Sequence, residues 1–234
     1  MLGRMKRNVL PSLALVLLCA LAACRSTSYT NSSSISTGSG AATPKAANPH
    51  IAAATGNFDF YLLNLSWSPE YCHSHPEAAE CARRSTFVLH GLWPQNNDGS
   101  YPQHCSVNAA APDPSLFSDI YPEPGLLMHE WQTHGACTGL SGNDFFTAAR
   151  AAYQSIKIPS QLANLSSQTS LPPDQIAALF TQSNPGLRSD DIAVSCGHNY
   201  LTAVEICLDK SLHPIACPAV RSCRANSVRI APPQ

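Results

Sequence analysis

The sequence predicts an α+β fold: a central antiparallel sheet flanked by helices in a single disulfide-bonded domain. Three observations carry this. Segments with a two-residue apolar period and segments with a helical period both occur, but without the strict βαβ alternation of a parallel sheet and without an internal repeat. The 234 residues, 44% hydrophobic and 12% charged, are enough for one sizeable core and exclude a wholly disordered chain. Ten cysteines exceed ordinary cytosolic usage and point to an oxidising compartment or a metal protein.

Residues 1–24 read as an address. Arg4, Lys6 and Arg7 precede an apolar run from Val9 to Ala23. At 1.5 Å per residue this run spans about 22 Å, short of the roughly 30 Å hydrocarbon core, so it fits a signal-peptide core better than a membrane-spanning helix. It ends in Leu21-Ala22-Ala23-Cys24, which resembles the lipobox of bacterial lipoproteins. A lipid on Cys24 is therefore the only membrane contact expected. Residues 25–56 have no periodicity, and 22 of these 32 are Ser, Thr, Ala or Gly, which predicts a flexible tether of about 30 Å root-mean-square reach.

All fifteen acidic residues lie beyond residue 24, but three of the fourteen Lys and Arg do not, so the mature chain is near −4 with histidine neutral. Protonating all nine histidines would bring it to about +5. No permanent basic field announces a polyanionic partner; attraction to one would develop in acid.

The folded body is expected over 57–234. In 58–67, Tyr61, Leu63, Leu65 and Trp67 share one strand face and Phe58, Phe60 and Leu62 the other, which predicts a strand covered on both sides. A shorter strand follows at 86–92, ending at a Trp-Pro. Helices are expected at 125–137, at 142–157 with Ser141 or Asn143 as cap, and from Pro173 to Gln182, where proline suits the first turn. Strands return at 191–196, 200–208 and 226–231.

Eight cysteines lie in this body: Cys72, Cys81, Cys105, Cys137, Cys196, Cys207, Cys217 and Cys223. No C-x-x-C pair occurs, so a zinc ribbon fails and four disulfides are expected, with the pairing left open by spacing alone.

Two segments concentrate the chemistry. The first is Phe87-Val88-Leu89-His90-Gly91-Leu92-Trp93-Pro94-Gln95; the second is Met128-His129-Glu130-Trp131-Gln132-Thr133-His134-Gly135-Ala136-Cys137. The second approaches the zinc-peptidase pattern H-E-x-x-H, but its histidines are five apart, about 140° round a helix, which is poor geometry for one ion. On that helix His129, Thr133, Glu130 and His134 form one broad polar face suited to lining a cleft. Two histidines with a carboxylate between them suit general acid–base work, and the carboxylate is expected to raise the histidine pKa values.

Together, L-H-G-L-W-P and M-H-E-W-x-x-H-G-x-C resemble the two active-site segments of the ribonuclease T2 family. So do Ser66-Trp67-Ser68-Pro69-Glu70-Tyr71-Cys72, Asp98-Gly99-Ser100-Tyr101-Pro102, Glu205-Ile206-Cys207 and Ile215-Ala216-Cys217-Pro218, a likeness over roughly 57–225. The resemblance implies an α+β endoribonuclease with no metal and no cofactor. In it the RNA 2′-hydroxyl attacks phosphorus to leave a 2′,3′-cyclic phosphate, later hydrolysed to a 3′-phosphate. DNA lacks that hydroxyl and is not cut. It further implies His134 as general base, His90 as general acid, His129 on the phosphate, and Glu130 polarising or positioning it. It suggests disulfides Cys105–Cys137, Cys196–Cys223, Cys207–Cys217 and Cys72–Cys81.

This chain departs from the family pattern in three places. Thr133 stands where the family usually has Lys, which weakens charge stabilisation but leaves a hydroxyl donor. Ala136 replaces a common Thr. Gln95 stands where some members read adenine with Asp, so low base specificity is expected, with Trp93 and Tyr101 available to stack on a base. The expected protein is thus an exported monomeric ribonuclease acting on single-stranded RNA, periplasmic and lipid-anchored to the outer membrane of a bacterium. The alternative is a catalytically weakened or lapsed, lipid-anchored RNA- or partner-binding module on the same fold, and the alternative location is soluble periplasmic or secreted.

Overall fold

The structure, a computed structural model, describes residues 51–78, 80–83, 85–106 and 108–233. The leader, Cys19, Cys24 and the tether up to residue 50 lie outside the described residues. Residues 51–56, the last six of the expected tether, are part of the folded body: Ile51, Ala52 and Ala54 pack on the core, and the Gly56 amide donates to the Thr138 carbonyl at 2.8 Å. The folded body therefore begins before residue 57.

Strand β1 (Phe60–Trp67) organises the domain because both its faces are buried. Tyr61, Leu63, Leu65 and Trp67 enter the main core, which also contains Phe145, Phe146 and Ala149 of helix α3 (Gly142–Ser155) and Phe180 of helix α5 (Pro173–Ser183). Phe60 and Leu62 enter a smaller cluster with Cys207 and Trp93. Farther along that second face come Asn64 and Ser66, so the sheet surface turns from apolar to polar within one strand.

β1 pairs antiparallel with β2 (Phe87–Gln95) on one side and β5 (Tyr200–Leu208) on the other. Strand β4 (Ile192–Gly197) also pairs antiparallel with β5, and β3 (Thr169–Leu171) with β6 (Val228–Ile230). The exception to the expected antiparallel sheet is β5–β6, parallel at Tyr200 and Arg229. After β5 the chain is tied back by Cys207–Cys217 and Cys196–Cys223, so β6 arrives beside the start of β5 and runs in its direction. The sheet is mixed within an α+β domain.

β2 reaches Gln95, past the expected end at 92, and Pro94 is tolerated because β2 is an edge strand. Helix α1 (Ser68–Ser74), which the pattern of apolar residues does not announce, starts directly from β1 with Pro69 in its first turn. Helix α2 (Pro124–Thr133) ends four residues before the expected Cys137. The chain then tightens into a 3₁₀ turn over 135–138, in which Gly135 lies so close to the Phe145 and Trp131 rings that a Cβ would collide with them. Ser141 is the cap of α3, accepting from the Asp144 amide. A short α4 (Ser160–Ala163) precedes β3.

All eight cysteines of the body are paired, as Cys72–Cys81, Cys105–Cys137, Cys196–Cys223 and Cys207–Cys217. These are the pairs the family resemblance implies. Among the described residues no helix is long and apolar enough to cross a membrane.

Candidate active site

His90 owes its position to a β-bulge. Along β1, Asn64 and Leu65 are consecutive, yet their partners on β2 are Gly91 and Leu89, which leaves His90 as the extra residue. A bulge re-aims the side chain it carries. The His90 ring swings onto the Asn64–Ser66 face, with Nδ1 3.0 Å from Ser66 Oγ and Nε2 3.7 Å from Glu130 Oε1. The backbone there is held by Tyr121, whose hydroxyl donates to the His90 carbonyl at 2.9 Å.

Trp93, two residues beyond Gly91 and half-buried, is the hub. Its Nε1 donates to Glu130 Oε2 at 2.7 Å, and its ring centroid lies 5.3 Å from that of His90 and 5.2 Å from that of His134. A side chain at Gly91 would collide with the Trp93 indole and the Glu130 carboxyl, so only glycine lets the indole fold back over the strand.

From the other side, α2 supplies the remaining groups. His129 is exposed, while Glu130 is 1% exposed. His134 is the C-cap residue, its amide donating to the Glu130 carbonyl at 3.0 Å, and its Nδ1 is buried without a hydrogen-bond partner. Thr133 is buried, with its hydroxyl oxygen covered and unpartnered. The broad polar face expected of this helix is therefore divided: His129 faces solvent, Glu130 and Thr133 face inward, and His134 has left the helix.

Burial governs the electrostatics. Desolvation lifts the Glu130 carboxyl to about 7, a rise that the Trp93 hydrogen bond only partly offsets. Desolvation lowers His134 to about 4, with further lowering from His129, His90 and His104. His90 is lowered too, by burial first and then by His129. The expected upward shift of the histidines does not occur, because both imidazoles are desolvated and the neighbouring carboxyl itself resists ionisation. Both imidazoles are thus drawn toward the neutral form, His134 to about 4.

The structure thus joins His90, Trp93, Glu130 and His134 by direct contact, with His129 close enough to act on two of them electrostatically. Gln95 and Tyr101 stand apart. Gln95 ends β2, and Tyr101, 51% exposed, lies in the loop beyond; among the described residues no hydrogen bond or ring contact links either side chain to the histidines. Ser66, Tyr121 and His104 were missed from sequence. Ser66 had a signal, a hydroxyl on the strand face of Phe60; Tyr121 had none. His104 is adjacent to Cys105, and its amide donates to the Thr133 carbonyl at 2.9 Å, so the Cys105–Cys137 bridge places it beside the end of α2.

Comparison with known proteins agrees with this geometry. The ribonuclease T2 family model matches residues 58–217, most of the chain and all of the site. The chain belongs to that family. A ribonuclease of Aeromonas hydrophila is 43% identical over 112 residues, covering 46% of this chain and 51% of that protein. Ribonuclease DdI of Dictyostelium discoideum is 32% identical over 189 residues, 70% of this chain and 79% of its own. The match thus spans about half the Aeromonas relative's length. Among solved structures, an RNase-related protein from Calystegia sepium superposes with a TM-score of 0.61 at 24% identity, over 73% of this chain and 96% of that one. RNase NT, solved with 5′-AMP, superposes at 0.56 with 20% identity over 76% and 98%. At those identities the likeness establishes the fold.

Proposed function

We propose that this chain is an endoribonuclease that cuts single-stranded RNA by two-histidine acid–base catalysis, without a metal. The observation that carries the reading is the pairing of two imidazoles, His90 and His134, on the one Trp93 indole that is bonded to Glu130. His134, held near 4, is neutral at mildly acidic pH and takes the proton of the 2′-hydroxyl as that oxygen attacks phosphorus. His90 gives a proton to the departing 5′-oxygen, and a 2′,3′-cyclic phosphate results. In the second step the roles reverse: His90 deprotonates water and His134 protonates the 2′-oxygen, leaving a 3′-phosphate. His129, exposed at the rim, meets the phosphoryl oxygens where negative charge accumulates. Glu130, half-neutral near pH 7, positions the His90 ring and adds little charge repulsion against the phosphate.

The base that carries the attacking hydroxyl is read weakly, since Gln95 and Tyr101 make no fixed contact with the site and any base offers a face for stacking. Export is supported by the basic start, the short apolar run and four disulfides, which form in oxidising compartments. Anchoring through Cys24 and a monomeric state belong to the same reading.

One observation favours the lapsed-module alternative: Thr133 offers no exposed donor where the family usually carries a cation. His90→Phe separates the two. The enzyme reading predicts loss of cleavage with RNA binding retained. The lapsed reading predicts that the wild-type protein binds RNA without cutting it and that the substitution changes nothing.

A further inference from the structure

Ser66 lies on β1, the strand paired on both sides, with its backbone in register with Val88 of β2 and Ala203 of β5. Its half-buried hydroxyl therefore stands at a fixed place on the polar part of the sheet face. The His90 ring meets it there, with Nδ1 3.0 Å from Ser66 Oγ. The ring is also bounded by Trp93, edge-on at 5.3 Å, and its backbone by the Tyr121 hydroxyl on the His90 carbonyl. Nε2 is left to exchange a proton with substrate, since Glu130 Oε1 at 3.7 Å is beyond hydrogen-bond reach.

A neutral imidazole carries one proton, and the bond made by one nitrogen decides which nitrogen holds it. The mechanism above needs His90 in two forms. As an imidazolium, protonated on both nitrogens, it gives its Nε2 proton to the departing 5′-oxygen. As a neutral ring it takes a proton from water at Nε2 while the oxygen of that water bonds to phosphorus and the 2′-oxygen leaves with a proton from His134. The second step therefore requires the proton of the neutral ring to sit on Nδ1. The Glu130 side agrees. Its Oε2 already accepts from Trp93 at 2.7 Å, so a carboxyl proton belongs on Oε1, where it faces a nitrogen lone pair at Nε2 rather than a second N–H. Burial lifts that carboxyl to about 7, so the proton is present through the acid range.

We infer that Ser66 is a positioning residue: its hydroxyl oxygen accepts from His90 Nδ1–H and thereby keeps Nε2 free as the base of the second step. This rests on the ribonuclease reading above for the role of His90. Among the described residues Ser66 is the hydrogen-bond partner of Nδ1. Without it the neutral ring returns to the Nε2–H tautomer that a histidine side chain otherwise favours, and Nε2 can no longer take a proton. The first step is run by the doubly protonated ring, which has no tautomer to choose. Ser66 therefore acts unequally on the two steps, whereas a side chain that only supported the sheet would slow both alike.

The test uses the full chain, oxidised and labelled with heavy nitrogen, as wild type and Ser66→Ala. Two-bond proton–nitrogen spectra taken where His90 is neutral read its tautomer directly, the His90 signals being those missing from His90→Phe. The wild type is expected to show Nδ1–H and Ser66→Ala to shift toward Nε2–H. In Ser66→Ala, hydrolysis of 2′,3′-cyclic UMP is expected to fall about 5-fold further than cleavage of UpU, the size of one neutral hydrogen bond, so that the cyclic product accumulates. An Nε2–H tautomer in the wild type would overturn the proposal without any variant, as would a tautomer unchanged in Ser66→Ala or an equal fall in both steps. A Ser66-dependent Nδ1–H tautomer in a protein that cuts no RNA would support the positioning and refute the ribonuclease reading.

Discussion

Trp93 Nε1 donates to Glu130 Oε2 at 2.7 Å, and this bond joins the edge strand that carries His90 to the helix that His134 caps. The donor is what a nearly fully buried carboxyl retains in exchange for water, and it opposes the upward pull of burial on that group. Trp93→Phe keeps an aromatic ring near both imidazoles but removes the donor. A buried acceptor left without its partner costs about 1–3 kcal/mol, so the midpoint of urea unfolding should fall accordingly. The Glu130 titration should also move above about 7, and cleavage should weaken. An unchanged midpoint would mean that water reaches the carboxyl.

In the proposed mechanism the two histidines set the pH dependence of kcat/KM. His134, as the proposed general base, must be neutral, so activity should rise through about pH 4. His90, as the proposed general acid, must be protonated, and its pKa lies below the ordinary 6.5, so activity should fall before pH 6.5 is passed. The account predicts a bell in the acid range, measured on a dinucleoside phosphate at constant ionic strength. A maximum above about pH 8 would contradict the assignment.

Glu130 also shapes stability. Its folded pKa lies above its unfolded value near 4.5, so the folded state holds the proton more tightly. The contribution is present below 4.5 and is lost as pH rises through about 7. Glu130→Gln removes that loss. The variant's stability relative to wild type should therefore grow between pH 4.5 and 8, to a few kcal/mol at the upper end, as followed by urea unfolding across pH. A difference constant with pH would show that Glu130 titrates normally.

The Cys105–Cys137 bridge closes 32 residues of chain, worth about 3–4 kcal/mol in the loop-entropy account. It also fixes the His104 amide on the Thr133 carbonyl, next to His134. Replacing both cysteines by serine should loosen the site first. Activity should fall at temperatures where far-ultraviolet circular dichroism is still native, and loss of both signals together would contradict this local role.

Much of this was legible in the sequence where the signal is local. The alternation in 58–67, the strand at 200–208 and the proline-started helix at 173 appear within a residue or two of their expected places. The two histidine segments stand out because chemistry-bearing residues are clustered within ten positions. What stayed hidden depends on partners far away in the chain. The bulge at His90 exists only in the register of β2 against β1. The close approach of Gly135 to Phe145 after α2 and the parallel β6 beside β5 likewise depend on segments far apart in the chain. The direction of the histidine shifts was misjudged for the same reason: adjacency to a carboxylate can be read along the chain, whereas desolvation of both groups cannot.

The most direct measurement mixes the oxidised protein at about pH 5 with equal masses of RNA and single-stranded DNA in excess EDTA, and determines the ends of any fragments. The account predicts RNA cut to 2′,3′-cyclic and 3′-phosphate ends while the DNA survives. Intact RNA, cut DNA, or 5′-phosphate ends would contradict it.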